Sequence, residues 1–302
     1  MRLVSYREGG EHRLGVVDGD ELIDVTAGVG ERNQPGAVSP MRALLSREEP
    51  VAAFLEAFEG RRVPLDSVQL EPVIPDPGKV IAAPVNYRDH QAEMQEDFHI
   101  DALGVFLKAP SSVIASGQTV RLPYTDRRFD QEGELALVIG REARNVSVDE
   151  ALDYVAGYTM LLDMTMRGGE DRSTRKSFDT FTPIGPFLVT PDEVGALDEL
   201  QLRTWVNDDL RQDADIRDLI WGVPQLIAYA SSVMTLRPGD VITTGTPAGV
   251  GQVVDGDRLT VEITGLGTLT AAVSSEDAVV CPTNGARRGP RPPEDVTPVR
   301  SR

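Results

Sequence analysis

Apolar and polar positions alternate along the chain in short runs. In "RLGVVDGDELIDV", residues 13–25, a period of two continues on both sides of Asp18-Gly19, a favoured hairpin turn pair, and predicts two antiparallel strands. The spacing changes in "SPMRALLS" (39–46) and "PVAAFLEAFEG" (50–60), where apolar residues recur every three or four positions and predict helices, the second stopped by Gly60. The Pro-rich "EPVIPDPGKV" (71–80) then breaks regular structure.

From Lys79 to about Ala272 the pattern predicts a series of short strands: "KVIAAPV", "GVFLK", "ELALVIG", "YTMLLDMT", "GPFLVT", "LQLRTWVN", "DVITTG" and "RLTVEITG". Two helices are predicted between them. One is "SVDEALDYVAG", with Ser147 as N-cap and Glu150 closing a capping box. The other is "DIRDLIWGVPQLIAYASSVM", in which Pro224 starts or kinks a helix. Strands so uneven, with so few intervening helices, argue against a doubly wound sheet and for an α+β, mixed β-sandwich-like arrangement. The expected organisation is a small N-terminal α+β domain over residues 1–71, a main domain over 72–275, and a disordered tail over 276–302. The tail is rich in Pro and Arg and almost lacks large apolar residues.

The length of 302 residues is ample for a buried core, and 40% hydrophobic residues with 28 Gly and 21 Pro suit a turn-rich globular protein. Lys and Arg total 30 against 48 Asp and Glu, a formal charge of -18 that repels phosphate backbones and anionic lipid. No nucleic acid is expected as a partner, and an anionic substrate needs local cations or a metal. Cys281 is the single cysteine, which rules out an internal disulfide and fits a reducing cytoplasm. The start lacks an apolar signal region, no run reaches the length of a membrane span, and a cytoplasmic protein is expected.

The stretch "FDQEGELALVIG", residues 129–140, carries the candidate chemistry. Residues i and i+2 of a strand face the same way about 7 Å apart, so Glu132 and Glu134 share a face just before an apolar run. Either the pair sits at a strand's wet end, or it is buried and takes up a proton or recruits a cation, since hard divalent ions bind carboxylate oxygens at about 2.0–2.6 Å. Asp163, ending "YTMLLD", could converge on the same ion. His90 and Glu93 have the i, i+3 spacing that brings side chains together on a helical turn, a plausible general base and its orienting carboxylate; a half-exposed loop histidine is the plain alternative. The loop "TGTPAGVG" has the wrong glycine spacing for phosphate binding, and strand rather than helix is expected after it.

In order along residues 72–270, "NYRDHQAEM", "FLK", "EGELALVIG", "DYVAGYTMLLDMTMR", "KSFDTFTPIGPFLVT", "RPGDVITTGTPAGVG" and "GLGTL" resemble the fumarylacetoacetate hydrolase family. The resemblance implies that family's fold for the main domain. It implies Glu132, Glu134 and Asp163 as ligands of Mg²⁺, with Mn²⁺ or Ca²⁺ as alternatives. It implies His90 and Glu93 as a water-activating pair on a lid, Arg167 and Lys176 as groups that hold substrate oxygens, and Thr246 and Lys108 as substrate-binding residues. The implied activity is hydrolysis of a carbon–carbon bond in an acylpyruvate or 1,3-diketo acid, in aromatic or 2-oxo acid catabolism, by a homodimer. The alternatives are tautomerisation of a 2-hydroxydienoate of the 2-hydroxyhepta-2,4-diene-1,7-dioate type, decarboxylation of an oxaloacetate-like acid, or a non-catalytic metal-binding homologue. One departure stands out: "RGGEDRSTRKSF" places Gly168 and Gly169 after Arg167, and Glu170 where family members carry a Gln that helps form the oxyanion site. A glutamate donates no hydrogen bond unless protonated, so either another donor such as Arg172 serves or the chemistry differs from that of the hydrolases.

Overall fold

The computed structural model describes residues 1–29, 38–47, 51–56 and 58–285. Its centre is the strand Gly133–Ile139, whose seven residues are all buried. Leu135, Leu137 and Ile139 join one apolar cluster, while Ala136 and Val138 join another on the opposite face. A strand buried on both sides needs no polar alternation, which is why "LALVI" reads as a continuous apolar run.

This strand lies inside a large mixed sheet. It pairs antiparallel with Val155–Leu162 on one side and Val241–Thr243 on the other. Beyond Val155–Leu162 come Thr182–Val189 and then Arg2–Glu8, from which the N-terminal hairpin Glu11–Asp18/Glu21–Asp24 and the strand Arg61–Pro64 extend the sheet. On the other side Val80–Ala82 pairs parallel with Val241–Thr243, and Phe106–Lys108 forms the edge. The sheet therefore runs across residue 71: Arg2↔Val189 and Leu3↔Leu188 stitch the N-terminal strands to the main body.

A second sheet of five strands contains Gln201–Val206, Asp209–Asp215, Arg258–Ile263, Gly267–Ser274 and Thr119–Arg121. Here burial alternates, as in Gln201–Val206, because one face is wet. Its inner residues Leu202, Val206, Leu259 and Val261 share a cluster with Leu135, Leu137 and Ile139, so two sheets enclose the main core. Met41 and Leu44 of the helix Pro40–Leu45 cover the opposite face of the large sheet, packed in one cluster with its residues Leu3, Leu14, Ala136 and Val138. The architecture is thus the expected mixed α+β, sandwich-like one.

Local expectations are met where tertiary pairing agrees with them. Asp18-Gly19 turns a hairpin with Gly19 at φ +64°, Ser39 caps Pro40–Leu45, and Pro224 lies in the first turn of Val223–Val233. The helix expected over 147–157 is instead a short 3-10 turn, Ala151–Tyr154. Ser147 Oγ donates to the Glu150 carboxylate at 2.7 Å, not to backbone, and Val155 and Gly157 are already paired with Ile139 and Val138. A ladder across a buried sheet satisfies their backbone groups, and a helix there would forfeit it. After Ser275, Thr125 N–H donates to Val279 C=O at 2.9 Å, Cys281 N–H donates to Asp126 at 2.8 Å, and the chain is held as far as Thr283. The remaining tail, 286–302, lies outside the described residues.

Leu137 has no solvent exposure and touches the core between the sheets. Leu137→Ala is expected to lower unfolding free energy by about 2–5 kcal/mol. Leu152→Ala, at a side chain 45% exposed, should change it by less than about 0.5 kcal/mol. Urea denaturation of both variants checks the contrast.

Candidate metal centre and active site

Two paired strands change sheets together. In the large sheet their ladder ends at Gly133↔Leu162; it resumes at Asp130↔Thr165 in a three-stranded sheet of Arg128–Gln131, Thr165–Arg167 and Gly251–Val253. Glu132 and Asp163 fall in the gap between the two ladders, where Asp163 N–H donates to Glu132 C=O at 2.8 Å. Glu134 lies one step inside the large sheet, opposite Leu161. All three carboxylates are buried, at 4%, 1% and 1% exposure, and each offers an oxygen within 4.8 Å of the others.

Basic side chains surround this triad. Lys176 Nζ donates to Glu132 and to Asp163, both at 2.5 Å. Lys108 Nζ donates to Asp163 and, at 3.0 Å, to Phe181 C=O. Arg167 donates from Nε to Asp130 at 2.6 Å and from Nη2 to Glu132 at 2.8 Å. Burial by itself would raise the Glu132 pKa, but Lys176, Arg167 and His90 outweigh it and hold the group well below the usual carboxylate range. Glu134 goes the other way: burial, reinforced by the negative charge of Asp163, pushes it up to about 8. Its Oε2 accepts from the Thr243 hydroxyl and, at 2.9 Å, from Gly245 N–H, while Oε1 accepts no hydrogen bond among the described residues.

These residues fit a divalent metal. Three converging carboxylates form an all-oxygen donor set of the kind Mg²⁺, Mn²⁺ or Ca²⁺ takes. Glu134 has one oxygen that accepts no hydrogen bond among the described residues and lacks the direct cationic partner that Glu132 has.

His90 lies on the short helix Arg88–Glu93 and is 6% exposed. Its Nδ1 is 3.0 Å from Glu93 Oε2, and Glu93 Oε1 accepts from Gly249 N–H at 3.0 Å. An ionised carboxylate only accepts, so Nδ1 carries the proton that faces Glu93, and loss of a proton from the ring leaves the lone pair on Nε2. His90, Glu132, Glu134, Arg167, Arg172, Arg175, Lys176 and Thr246 line one cavity of about 30 Å³.

The structure thus brings together Glu132, Glu134, Asp163, Arg167, Lys176 and His90, with Glu93 behind the imidazole. Lys108 differs from expectation: its side chain has no exposure and lies behind Asp163, outside the cavity lining. Thr246 reaches the cavity, but its hydroxyl is engaged internally, donating to Gly133 C=O at 2.9 Å and accepting from Gln212 at 2.7 Å. Glu170 accepts from the Thr283 hydroxyl at 2.6 Å and faces Arg127 at 3.7 Å, so it is turned toward the C-terminal segment, whereas Arg172 lines the cavity. Residues not foreseen are Asp130, Thr243, Gly245 and Arg175. Only Asp130 had a signal, since it continues the period-two series of Glu132 and Glu134.

Residues 79–274 match the family model for the fumarylacetoacetate (FAA) hydrolase C-terminal domain. A maleylpyruvate hydrolase of Aquipseudomonas alcaligenes is 46% identical over 284 residues, covering 88% of this chain and 97% of that protein. The chain belongs to the fumarylacetoacetate hydrolase family. Among solved structures, a maleylpyruvate hydrolase from Sphingobium sp. SYK-6, in complex with manganese(II) ion and pyruvate, superposes with a TM-score of 0.81 at 42% identity, covering 91% of this chain and 99% of that one. A 4-hydroxyphenylacetate degradation bifunctional isomerase/decarboxylase of Escherichia coli is 42% identical over 212 residues, covering 68% of this chain and 49% of that protein. As a fumarylacetoacetate hydrolase family member, the chain is a metal-dependent enzyme acting on carbon–carbon bonds, with hydrolases and isomerase/decarboxylases among its relatives.

Gly245 holds Glu134 through its N–H and has φ +89°. A Cβ there would lie 2.9 Å from Asn86 Cβ and 3.1 Å from the Ala83 carbonyl oxygen. Gly245→Ala should therefore cost roughly 1–3 kcal/mol in backbone strain and crowding. Gly117→Ala, at φ +85° with nothing within 4 Å of the added Cβ, should cost less. Thermal unfolding of the two variants compares them.

Proposed function

We propose that this protein hydrolyses a carbon–carbon bond of an acylpyruvate, with maleylpyruvate or a close relative as substrate. The observation that carries this reading is the convergence, in one cavity, of the carboxylate triad with an imidazole backed by Glu93. The similarity to two maleylpyruvate hydrolases supports it. In this reading Glu132, Glu134 and Asp163 hold Mg²⁺, with Mn²⁺ or Ca²⁺ as substitutes. When bound, the ion supplies a Lewis acid for the oxygens of the 2-oxo acid and for negative charge that develops on them.

The chain's own residues do the proton chemistry. His90 Nε2 takes a proton from water as the water oxygen bonds to the distal acyl carbon. The bond from that carbon to C3 then breaks, its electron pair passes to the pyruvate fragment, and the imidazolium returns the proton to C3, giving a carboxylic acid and pyruvate. Glu93 keeps the ring in the required tautomer and favours the imidazolium. Arg167 and Lys176, fixed by Asp130, Glu132 and Asp163, place positive charge beside the reacting oxygens. The cavity holds about 30 Å³, room for about one water, so substrate entry widens it. Thr246 and Lys108 then act through structure: the first fixes the Gly133 carbonyl, the second neutralises Asp163. The same reading takes the enzyme as a cytoplasmic homodimer that acts on a small oxo acid. Among the described residues no helix is long and apolar enough to cross a membrane.

One observation favours a second reading. Glu170 is turned toward Thr283 and offers no donor to the cavity. Tautomerisation of a 2-hydroxydienoate or decarboxylation of an oxaloacetate-like acid needs one stabilised oxyanion fewer than hydrolysis does, and the isomerase/decarboxylase relative is of that kind.

Chelator treatment is expected to abolish cleavage of maleylpyruvate, with Mg²⁺ or Mn²⁺ restoring it. Glu134→Gln should weaken metal binding in a calorimetric titration while the folded spectrum persists; wild-type affinity would remove Glu134 from the ligand set. His90→Ala should slow acylpyruvate cleavage by roughly 10²- to 10⁴-fold, the range of general acid–base assistance. If its oxaloacetate decarboxylation is retained while cleavage is lost, water activation is confirmed as the role of His90; if cleavage proceeds at the wild-type rate, the second reading takes over.

A further inference from the structure

Each basic side chain at the triad has an anionic partner except one. Arg167 is bound to Asp130 and Glu132, Lys176 to Glu132 and Asp163, and Lys108 to Asp163. Arg175 ends the short helix Arg172–Arg175, is 6% exposed, and lines the cavity. Among the described residues its guanidinium meets no carboxylate within ion-pair distance and no hydrogen-bond acceptor. Its neighbour Arg172 lines the same cavity, and its one carboxylate contact, Glu96, is 3.7 Å away, beyond hydrogen-bond length.

A buried cation without a counter-ion is costly, and the cost falls only when an anion or a polar group comes to it. The triad acts on it only at a distance: Glu132 and Asp163 favour its charge, but their oxygens already face Lys176, Lys108 and Arg167 and none is paired with Arg175. An anion that enters the cavity supplies the direct partner that Arg175 lacks. The planar guanidinium offers two parallel N–H groups to a carboxylate, and a second guanidinium beside it raises the local potential.

We propose that Arg175 is a specificity-determining residue that binds a second, distal carboxylate of the substrate, so that the site takes dicarboxylic acylpyruvates in preference to monocarboxylic ones. This rests on the acylpyruvate reading above, in which the 2-oxo acid end of the substrate is directed to the triad. The distal carboxylate then lies against Arg175, with Arg172 at the more open side of the cavity. A substrate bound at both ends is held with its acyl carbon between them, which places that carbon rather than merely tethering the molecule.

The test compares two non-cleavable probes of equal length, 2-oxoheptanedioate and 2-oxoheptanoate, titrated calorimetrically into the full-length Mn²⁺-loaded protein. Wild type should bind the dicarboxylate about 10- to 100-fold more tightly, the worth of one charge-assisted contact. In Arg175→Gln the ratio of the two dissociation constants should fall to near unity, and Arg175→Lys should recover part of it. Equal affinity of wild type for the two probes overturns the proposal without any variant. So does an undiminished ratio in Arg175→Gln, which is also the result expected if Arg175 binds the carboxylate next to the 2-oxo group, since both probes then lose equally. Turnover of acylpyruvates, measured separately, distinguishes the two levels. Cleavage without a dicarboxylate preference overturns the role of Arg175 alone, and a preference lost in Arg175→Gln without any cleavage supports that role while overturning the hydrolase reading.

Discussion

Three buried carboxylates close enough to share one ion set the terms for the rest of the site. At separations of 4–5 Å, two ionised carboxylates repel by roughly 3–4 kcal/mol at an effective dielectric near 20. The triad answers this repulsion in two ways: Glu134 is pushed toward its protonated form, and fixed positive charge is built in around the other two. Lys108, Lys176 and Arg167 provide it from separate strands and turns, and Asp130 in turn balances Arg167. The opposite displacements of Glu132 and Glu134 follow from the geometry of that supply: two cations touch Glu132, while Glu134 has a hydroxyl and an amide.

The same constraint explains the backbone. A regular ladder would carry Glu132 and Asp163 into a tightly packed sheet, where their side chains would have to alternate with apolar neighbours. Moving both strands from one sheet to another at the same level opens a gap in which the two acids face each other. Gly245, at positive φ, lets the loop after Val241–Thr243 come close enough to donate to Glu134. The site thus sits on strands buried by two sheets, and only its outer wall, with the helix Arg88–Glu93, is short and local.

The relatives of this chain include a hydrolase and an isomerase/decarboxylase, so one family framework serves more than one reaction. Glu170 is turned toward Thr283 and Arg127, while Arg172 and Arg175 line the cavity, so this segment adds positive charge to the cavity wall. A hydrolase must hold an attacking water as well as the anionic fragment it releases. A tautomerase releases no fragment and a decarboxylase needs no attacking water; each needs only a stabilised enolate, so the same triad is compatible with all three.

The sequence by itself determined the turns, the wholly apolar strand at 135–139, the sandwich-like class and the pairing of His90 with Glu93, because each depends on spacing along a few residues. It also exposed Glu132, Glu134 and Asp163 as acids attached to apolar runs, which is a local anomaly that periodicity detects. What it left undecided were contacts between distant segments. Lys108 is 55 residues from Asp163, and its ammonium lies behind that carboxylate rather than in the cavity. The helix expected at 147–157 yielded to cross-strand pairing with Ile139 and Val138. Arg175 looked like any arginine in a charged loop, since a missing counter-ion is a property of the surroundings. Local patterns fix which groups can bond or alternate, whereas burial and charge balance are sums over neighbours that only the folded chain brings together.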